Sequence, residues 1–518
     1  MSLFRRLAAV AASFACCVSV ATAQDVSLTS PDGSIAIEGR LLGFDGDFYR
    51  VDSVYGELTL DASRVACRGD GCPDPEEFAA DLSISGTPSA ATVLFPALVE
   101  AFASRREYIV EREEDGGAVR YRLVNPPDQR LLATISINPS STEEGLADLL
   151  AEEAQVALAF REPSRDEFQR AKDAGLGDIR STDQNLIFAL DAMVPIVATT
   201  NRAQSVTLDR LAGILSGEIK SWAELGAAEA PIVIHLREVG SAQDQVVRGL
   251  ISDEVSDETP PTIRRHRTDA DLVEAVRADP FAIGLTKASV AGSARRLSVV
   301  ESCGYPLPAS VRALKSEDYP LTVPHFMILT SKRQPRLIGE FIDFVLSPAA
   351  QPIVRRAGFV DQTPERIKLE DQGRRLAAAI QNAGRETGLR ELKRLVDQMM
   401  NTERLTTTFR FRNGSADLDA QSQSNVGRLA DAIDSGFFDG KTLVFAGFTD
   451  SSGGASANQT LSLRRAEAVR DAVRAASQAT QFQRVRFEAF GFGEAMPMAC
   501  DENDWGNRIN RRVEVWAR

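Results

Sequence analysis

Hydrophobic and polar positions divide the chain into stretches of different period. Between 24 and 79, the runs Ser34-Ile35-Ala36-Ile37-Glu38-Gly39, Phe48-Tyr49-Arg50-Val51 and Glu57-Leu58-Thr59-Leu60 are short and strand-like. Asp32-Gly33, Asp45-Gly46 and Tyr55-Gly56 punctuate them, which predicts a small β-rich unit with tight turns. From 80 to 365, strand-like runs at 81–85, 154–160, 185–190, 231–236 and 281–285 alternate with helix-period stretches at 91–103, Leu208–Leu215 and 244–251. Such alternation predicts α/β layers with largely parallel sheets, and the length fits two lobes flanking a cleft. Over 366–404, Leu376, Ala379, Ile380, Leu389, Leu392, Leu395 and Met399 recur on one side of a charged segment, which predicts a connecting helical arm. From 405 to 518, a buried strand at 442–445 precedes an amphipathic helix with Ala466, Val469, Val473 and Ala476 as its stripe. The fold class expected is α/β and α+β multidomain.

The ends and the composition narrow the class. Arg5-Arg6, an apolar run from Leu7 to Val20 and Ala21-Thr22-Ala23 predict a secretory signal over 1–23, cleaved after Ala23. Ser13-Phe14-Ala15-Cys16 is a poor lipid-attachment box, so a soluble mature protein is expected. No later segment offers about 18 continuous apolar residues, the minimum for a transmembrane helix. With 59 Lys and Arg against 73 Asp and Glu, the net charge is −14, which argues against nucleic acid and anionic membrane as partners. In an oxidising compartment Cys67 and Cys72 are expected to bridge, with two separate thiols as the alternative, while pairing of Cys303 with Cys500 stays open. His235, His266 and His325 lack metal-ligand spacing and read as surface or capping residues; no metal or cofactor is implied. Walker-type, His-Glu-x-x-His and Gly-x-Ser-x-Gly signatures are absent from the sequence, so a binding protein is expected rather than an enzyme.

Asp450 and Arg465 carry the first candidate chemistry. They lie fifteen apart in Gly447-Phe448-Thr449-Asp450-Ser451-Ser452-Gly453 and Asn458-Gln459-Thr460-Leu461-Ser462-Leu463-Arg464-Arg465-Ala466. An acid at a strand end and an arginine in the next helix suit a zwitterion: the acid holds an ammonium group and the arginine forks onto a carboxylate. Together with Asn507-Arg508-Ile509-Asn510-Arg511-Arg512-Val513-Glu514, these motifs resemble the OmpA-like peptidoglycan-binding domain, an α/β sandwich, over 405–518. The resemblance implies that Asp450 and Arg465 grip the diaminopimelate of the peptidoglycan stem peptide. It also implies that Asn458 orients the loop and Arg511 lies at the rim. Phe448 departs from the family, which often has a polar aromatic or His there.

The middle region carries the second. Ile84-Ser85-Gly86-Thr87-Pro88-Ser89 is a strand ending just before a helix, where hydroxyls, free backbone N–H groups and the helix dipole favour an anion. Arg161 and Arg237 stand at other strand ends to clamp oxygens, and Gly240-Ser241 opens another helix. These segments, with Val156-Ala157-Leu158-Ala159-Phe160-Arg161, Ile214-Leu215-Ser216-Gly217-Glu218-Ile219-Lys220-Ser221-Trp222-Ala223-Glu224-Leu225-Gly226 and Tyr319-Pro320-Leu321-Thr322, resemble the phosphate-binding proteins of bacterial ABC transporters. That family has the type 2 periplasmic-binding-protein fold, in which lobe closure buries the ligand. The resemblance implies an anion site of Ser85, Thr87, Ser89, Arg161, Arg237, Gly240 and Ser241. Two departures stand out: Ala154-Gln155-Val156-Ala157 where the family has Ala-Asp-Ile-Gly, and Gly240-Ser241-Ala242 where it has Ser-Gly-Thr. Phosphate, another small anion and no ligand therefore all stay open. The function expected is a periplasmic protein of a Gram-negative envelope, tethered to peptidoglycan and capturing a small anion. The alternative is a structural linker whose middle domain contacts another envelope protein.

Overall fold

The computed structural model describes residues 25–518 apart from 228, 240, 242, 245–246, 248–262, 303–304, 374, 376, 378–387, 413–416, 479–483 and 502–503. The expected signal over 1–23, Gly240 and Cys303 lie outside the described residues. The chain forms two compact units, one running to Ala80 and including Arg333–Ile338, the other comprising Asp81–Lys332 and Gly339–Arg518.

The first unit is a five-stranded antiparallel sheet built from Asp25–Thr29, Ala36–Phe44, Phe48–Ser53, Gly56–Asp61 and Ala66–Arg68. Alternation puts Val26, Leu28, Tyr49 and Val51 into one small core. Cys67 and Cys72 are joined by a disulfide against that core, which offsets the few apolar residues available to so short a segment.

The second unit opens with a two-lobed α/β body. The first lobe pairs Val156–Ala159 in parallel with Ala80–Gly86 and antiparallel with Thr322–Leu329. The second pairs Val233–Arg237 in parallel with Ile263–His266 and Ala282–Lys287. The long strand Asn185–Val197 belongs to both lobes. Its residues Asn185–Ala192 pair with Thr322–Leu329, and Met193–Val197 pair with Ala282–Lys287. The sheet is mixed, not largely parallel, because Ile109–Asp115, Ala118–Val124 and Leu131–Pro139 form an antiparallel meander. Gly116 and Gly117, both at positive φ, make its first turn.

The remainder is a mixed five-stranded sheet in the order Arg366–Lys368, Glu403–Arg410, Arg512–Ala517, Thr442–Phe448, Arg486–Gly491. Both faces are covered. Leu443 and Phe445 face the core shared with Val469 and Val473 of helix Ala455–Ala476, while Val444, Ala446 and Phe448 face Leu395 and Met399 of helix Leu389–Met399. Thus the described parts of 366–404 differ from the expected connecting arm: Arg366–Lys368 is an edge strand and Leu389–Met399 a covering helix of this sheet, with Leu395 and Met399 as core residues, while Leu376, Ala379 and Ile380 lie outside the described residues. Glu514, fully buried, accepts from Arg512 Nε at 2.6 Å and pairs with Arg375 and Arg404. Cys500 is disulfide-bonded. Among the described residues, no helix is long and apolar enough to cross a membrane, and no group of three His, Cys, Asp or Glu is placed to hold a metal.

Candidate functional site

A cleft of about 760 Å³ brings Thr87, Ser89, Arg237 and Ser241 together. Gly86 makes this possible: at φ +135° it turns the chain out of its strand, and a Cβ there would meet the Leu158 carbonyl oxygen at 2.1 Å. The chain then enters the helical turn Ala90–Leu94 and the helix Phe95–Arg105. Ser89 precedes that turn without a side-chain cap bond. Among the described residues, Thr87 Oγ1, Ser89 Oγ and Arg237 Nε are buried polar atoms with no hydrogen-bond partner. Leaving such groups unmade costs about 1–3 kcal/mol each, so the cleft carries unspent donor capacity.

Two contributors were not anticipated from the sequence. Lys287, at the end of strand Ala282–Lys287, is buried in the cleft wall, with Nζ 5.3 Å from the centre of the Phe160 ring. Ser140, Ser141 and Thr142 begin helix Thr142–Leu150, whose first turn opens on the same space. Ser141 and Glu144 form a reciprocal capping box there. The Ser-x-x-Glu spacing after a strand is the signal that marks it in the sequence. Asp269 sits between the two cations, its Oδ1 3.8 Å from Arg237 Nε and its Oδ2 3.5 Å from Lys287 Nζ. Gln155, where the resemblance expects an acid, accepts the Ser83 backbone N–H at 2.6 Å and serves the strand.

Ser85 and Arg161 are placed elsewhere. Ser85 Oγ donates to Asp148 Oδ2 at 2.5 Å and lies 3.0 Å from Ser140 Oγ, beneath the cleft floor. Arg161 donates to both Glu167 oxygens, at 2.8 and 3.0 Å, and to Glu143 at 3.3 Å. Burial opposes charge on Glu167, yet the Arg161 and Ser164 hydrogen bonds draw its carboxyl down to about 2, so the pair is ionised and mutually satisfied. The histidines also differ from the surface reading, because His235 and His325 lie on central strands and are buried. His235 Nδ1 lies 2.8 Å from His266 Nε2. His325 is enclosed by Phe160, Phe188 and Phe359.

The C-terminal sheet holds the second constellation. Gly447 allows helix Ala455–Ala476 to lie directly on strand Thr442–Phe448, since a Cβ there would meet the Ser462 carbonyl oxygen at 2.0 Å. That close approach brings the loop after Phe448 alongside the helix's first turns. Asp450 is buried, and its Oδ2 accepts from Arg511 Nη1 at 2.7 Å. Asn458 donates to the Ser452 carbonyl at 3.1 Å and to Glu494 Oε1 at 2.6 Å, which fixes the loop. Arg465 lies over the Phe411 ring at 4.9 Å, and its Nε and Nη1 are buried with no hydrogen-bond partner among the described residues. Burial and the neighbouring Arg511 lower the Arg465 pKa, while the Asp450 charge opposes the shift. Arg465 thus senses both groups and spends its donors on neither. Arg511, expected at the rim, is a direct ion-pair partner of Asp450.

Comparison with known proteins parallels this division. Residues 74–349, more than half of the chain, match the model of the PBP superfamily domain, and residues 410–511 match that of the OmpA family. The phosphate-binding protein PstS of Borreliella burgdorferi is 21% identical over 236 residues, covering 44% of this chain and 79% of that protein. Similar solved structures include an ABC-type phosphate transport receptor from Vibrio cholerae (TM-score 0.41, 18% identity, 54% of this chain and 99% of that one). Another is a putative phosphate ABC transporter substrate-binding protein with bound phosphate from Clostridium perfringens (TM-score 0.41, 23% identity, 54% and 99%).

Proposed function

The chain belongs to the PBP superfamily and ends in an OmpA-family domain, and from that premise we propose a peptidoglycan-anchored binding protein of the bacterial envelope. Its cleft captures a small oxyanion, with phosphate the first candidate. The observation that carries the anion reading is the set of polar atoms Thr87 Oγ1, Ser89 Oγ and Arg237 Nε, each without a hydrogen-bond partner, on residues lining one space beside buried Lys287. An oxyanion supplies the missing acceptors, and the helix starting at Thr142 adds its dipole. The wall reading is supported by the unspent Arg465 guanidinium near the Asp450 carboxylate, a pair of opposite charges suited to a stem-peptide zwitterion. The periplasm is the compartment that fits both halves. Neither half needs a catalytic group, so the protein is proposed as a binder and not an enzyme.

One observation favours the linker reading. Asp269 faces Arg237 and Lys287 and partly neutralises them without any ligand. Calorimetric titration with phosphate, sulfate and small carboxylates separates the two readings. The anion reading expects saturable binding of phosphate that Arg237→Ala weakens by about 2 kcal/mol, the worth of a charged hydrogen bond, and that Lys287→Ala weakens comparably. No heat with any of these anions, together with an unchanged melting temperature, leaves the linker reading standing.

A further inference from the structure

The C-terminal domain does not hang from the two-lobed body; it touches both lobes at the place where they join. The lobes meet at Ala192 and Met193, where strand Asn185–Val197 changes partners. The chain returns beside this point through Tyr319–Thr322, with Tyr319 Oη donating to the Met193 carbonyl at 2.9 Å and Met193 N donating to the Leu321 carbonyl at 2.8 Å. Any rotation of one lobe on the other must work these two segments.

The grip on the first lobe comes from helix Ala420–Asp434. Ala420 is part of the first lobe's core with Leu146, Ile187 and Ile328. Arg428 Nη2 donates to the Ile187 carbonyl at 2.5 Å, and Gln421 Nε2 donates to Gln362 Oε1 at 3.3 Å. Gln362 in turn donates to the same Ile187 carbonyl at 3.0 Å. The grip on the second lobe comes from strand Glu403–Arg410. Arg404 Nη1 and Arg410 Nη2 donate to the two oxygens of Asp318 at 3.0 and 3.1 Å, and Arg410 Nη2 also reaches the Glu317 carbonyl at 2.9 Å. Asp318 directly precedes the returning segment and follows helix Val311–Lys315, whose Ala313 and Leu314 are second-lobe core residues. Trp505 packs against that same core. Arg404 and Arg410 are almost wholly buried, so their ion pairs escape the screening that weakens surface pairs.

We infer that the C-terminal domain acts as a strap across the hinge, fixing the angle between the lobes so that the cleft takes its ligand without the wide opening and closing of a free two-lobed binder. Asp318 is the latch on one side and the Ile187 carbonyl the anchor on the other. The inference stands on these contacts and does not depend on which ligand the cleft takes.

The test is the distance distribution between spin labels at positions 115 and 274 of the full chain. The first lies on an exposed hairpin of the first lobe and the second on an exposed helix face of the second. Labels attached through a non-natural ketone side chain leave the cysteines untouched. The strap predicts one narrow distribution in the ligand-free protein, unmoved by saturating inorganic phosphate. Asp318→Asn combined with Arg428→Gln is expected to broaden or split it. A wild-type distribution that is broad, two-peaked or shifted by phosphate overturns the inference, as does a folded double variant that stays as narrow as the wild type. If the double variant fails to fold, the wild-type arm alone decides. A melting-temperature measurement on the same samples separates the two proposals. No stabilisation by phosphate, sulfate or small carboxylates with a narrow, fixed distance sinks the anion reading and leaves the strap intact.

Discussion

Arg465 and His325 show how differently two side chains with buried nitrogens lacking hydrogen-bond partners can be used. The two unpartnered Arg465 nitrogens lie near a carboxylate, at the surface end of a motif, whereas His325 is walled in by three phenylalanines. Replacing Arg465 by Ala removes little that holds the fold, essentially one contact with Phe411 worth about 0.5–1 kcal/mol. Arg465→Ala is therefore expected to abolish co-sedimentation with purified sacculi while urea denaturation shows a loss of about 1 kcal/mol or less. Retained sacculus binding would contradict the assignment. Burial, assisted by the Lys287 charge, lowers the His325 pKa to about 3, far below the ordinary value of about 6.5. The folded state therefore prefers the neutral ring. The stability this gives is fully present above the unfolded pKa and drains away as pH falls from about 6.5 towards about 3. Over pH 7 to 5 the loss amounts to about 2 kcal/mol from this group. His325→Phe is expected to flatten that part of the profile, measured by urea denaturation at the two pH values. An unchanged slope would place the acid sensitivity elsewhere.

At the scale of elements, the glycines explain why motifs with the right chemistry sit where they do. Gly447→Ala drives a methyl group into the Ser462 carbonyl, so it is expected to lower the melting temperature and cost about 1–3 kcal/mol or more, as overpacking does. A variant as stable as the wild type would show that the helix has room to withdraw. Close approaches of this kind also set how much of each site the sequence disclosed. Thr87, Ser89, Arg237 and Ser241 were legible because each stands at a strand end or a helix start, where free donors are a backbone consequence. Ser85 was not separable from them by type: the alternation along its strand ends at Gly86, and only the positive φ there shows that Thr87 and Ser85 part company. Arg161 is captured by Glu167, six residues on, a rotamer outcome that spacing does not record. Lys287 was missed because one charge closing an apolar strand reads as a boundary. The strand–helix alternation disclosed the α/β layers, and the length of the segment disclosed two lobes. The antiparallel meander and the docking of Leu389–Met399 on the last sheet depend on tertiary pairing that period alone leaves open.

On the proposed reading, the whole molecule joins a body that offers donors to a small anion and a domain that offers an acid and an arginine to the cell wall. Within that second unit the two halves share buried contacts at Asp318, Ile187 and Ala420, so what holds one half also bears on the other. The acidic surface, with a net charge of −14, makes local donors and not the overall field responsible for holding an anion. The measurement that tests the joint function most directly is sedimentation of labelled inorganic phosphate with purified sacculi in the presence of the full chain. A wall-anchored anion binder carries label into the pellet in proportion to the protein bound. Arg237→Ala leaves protein in the pellet with strongly reduced label, and Arg465→Ala leaves neither. A pellet that holds the wild-type protein but no label, or label without dependence on Arg237, would contradict the account.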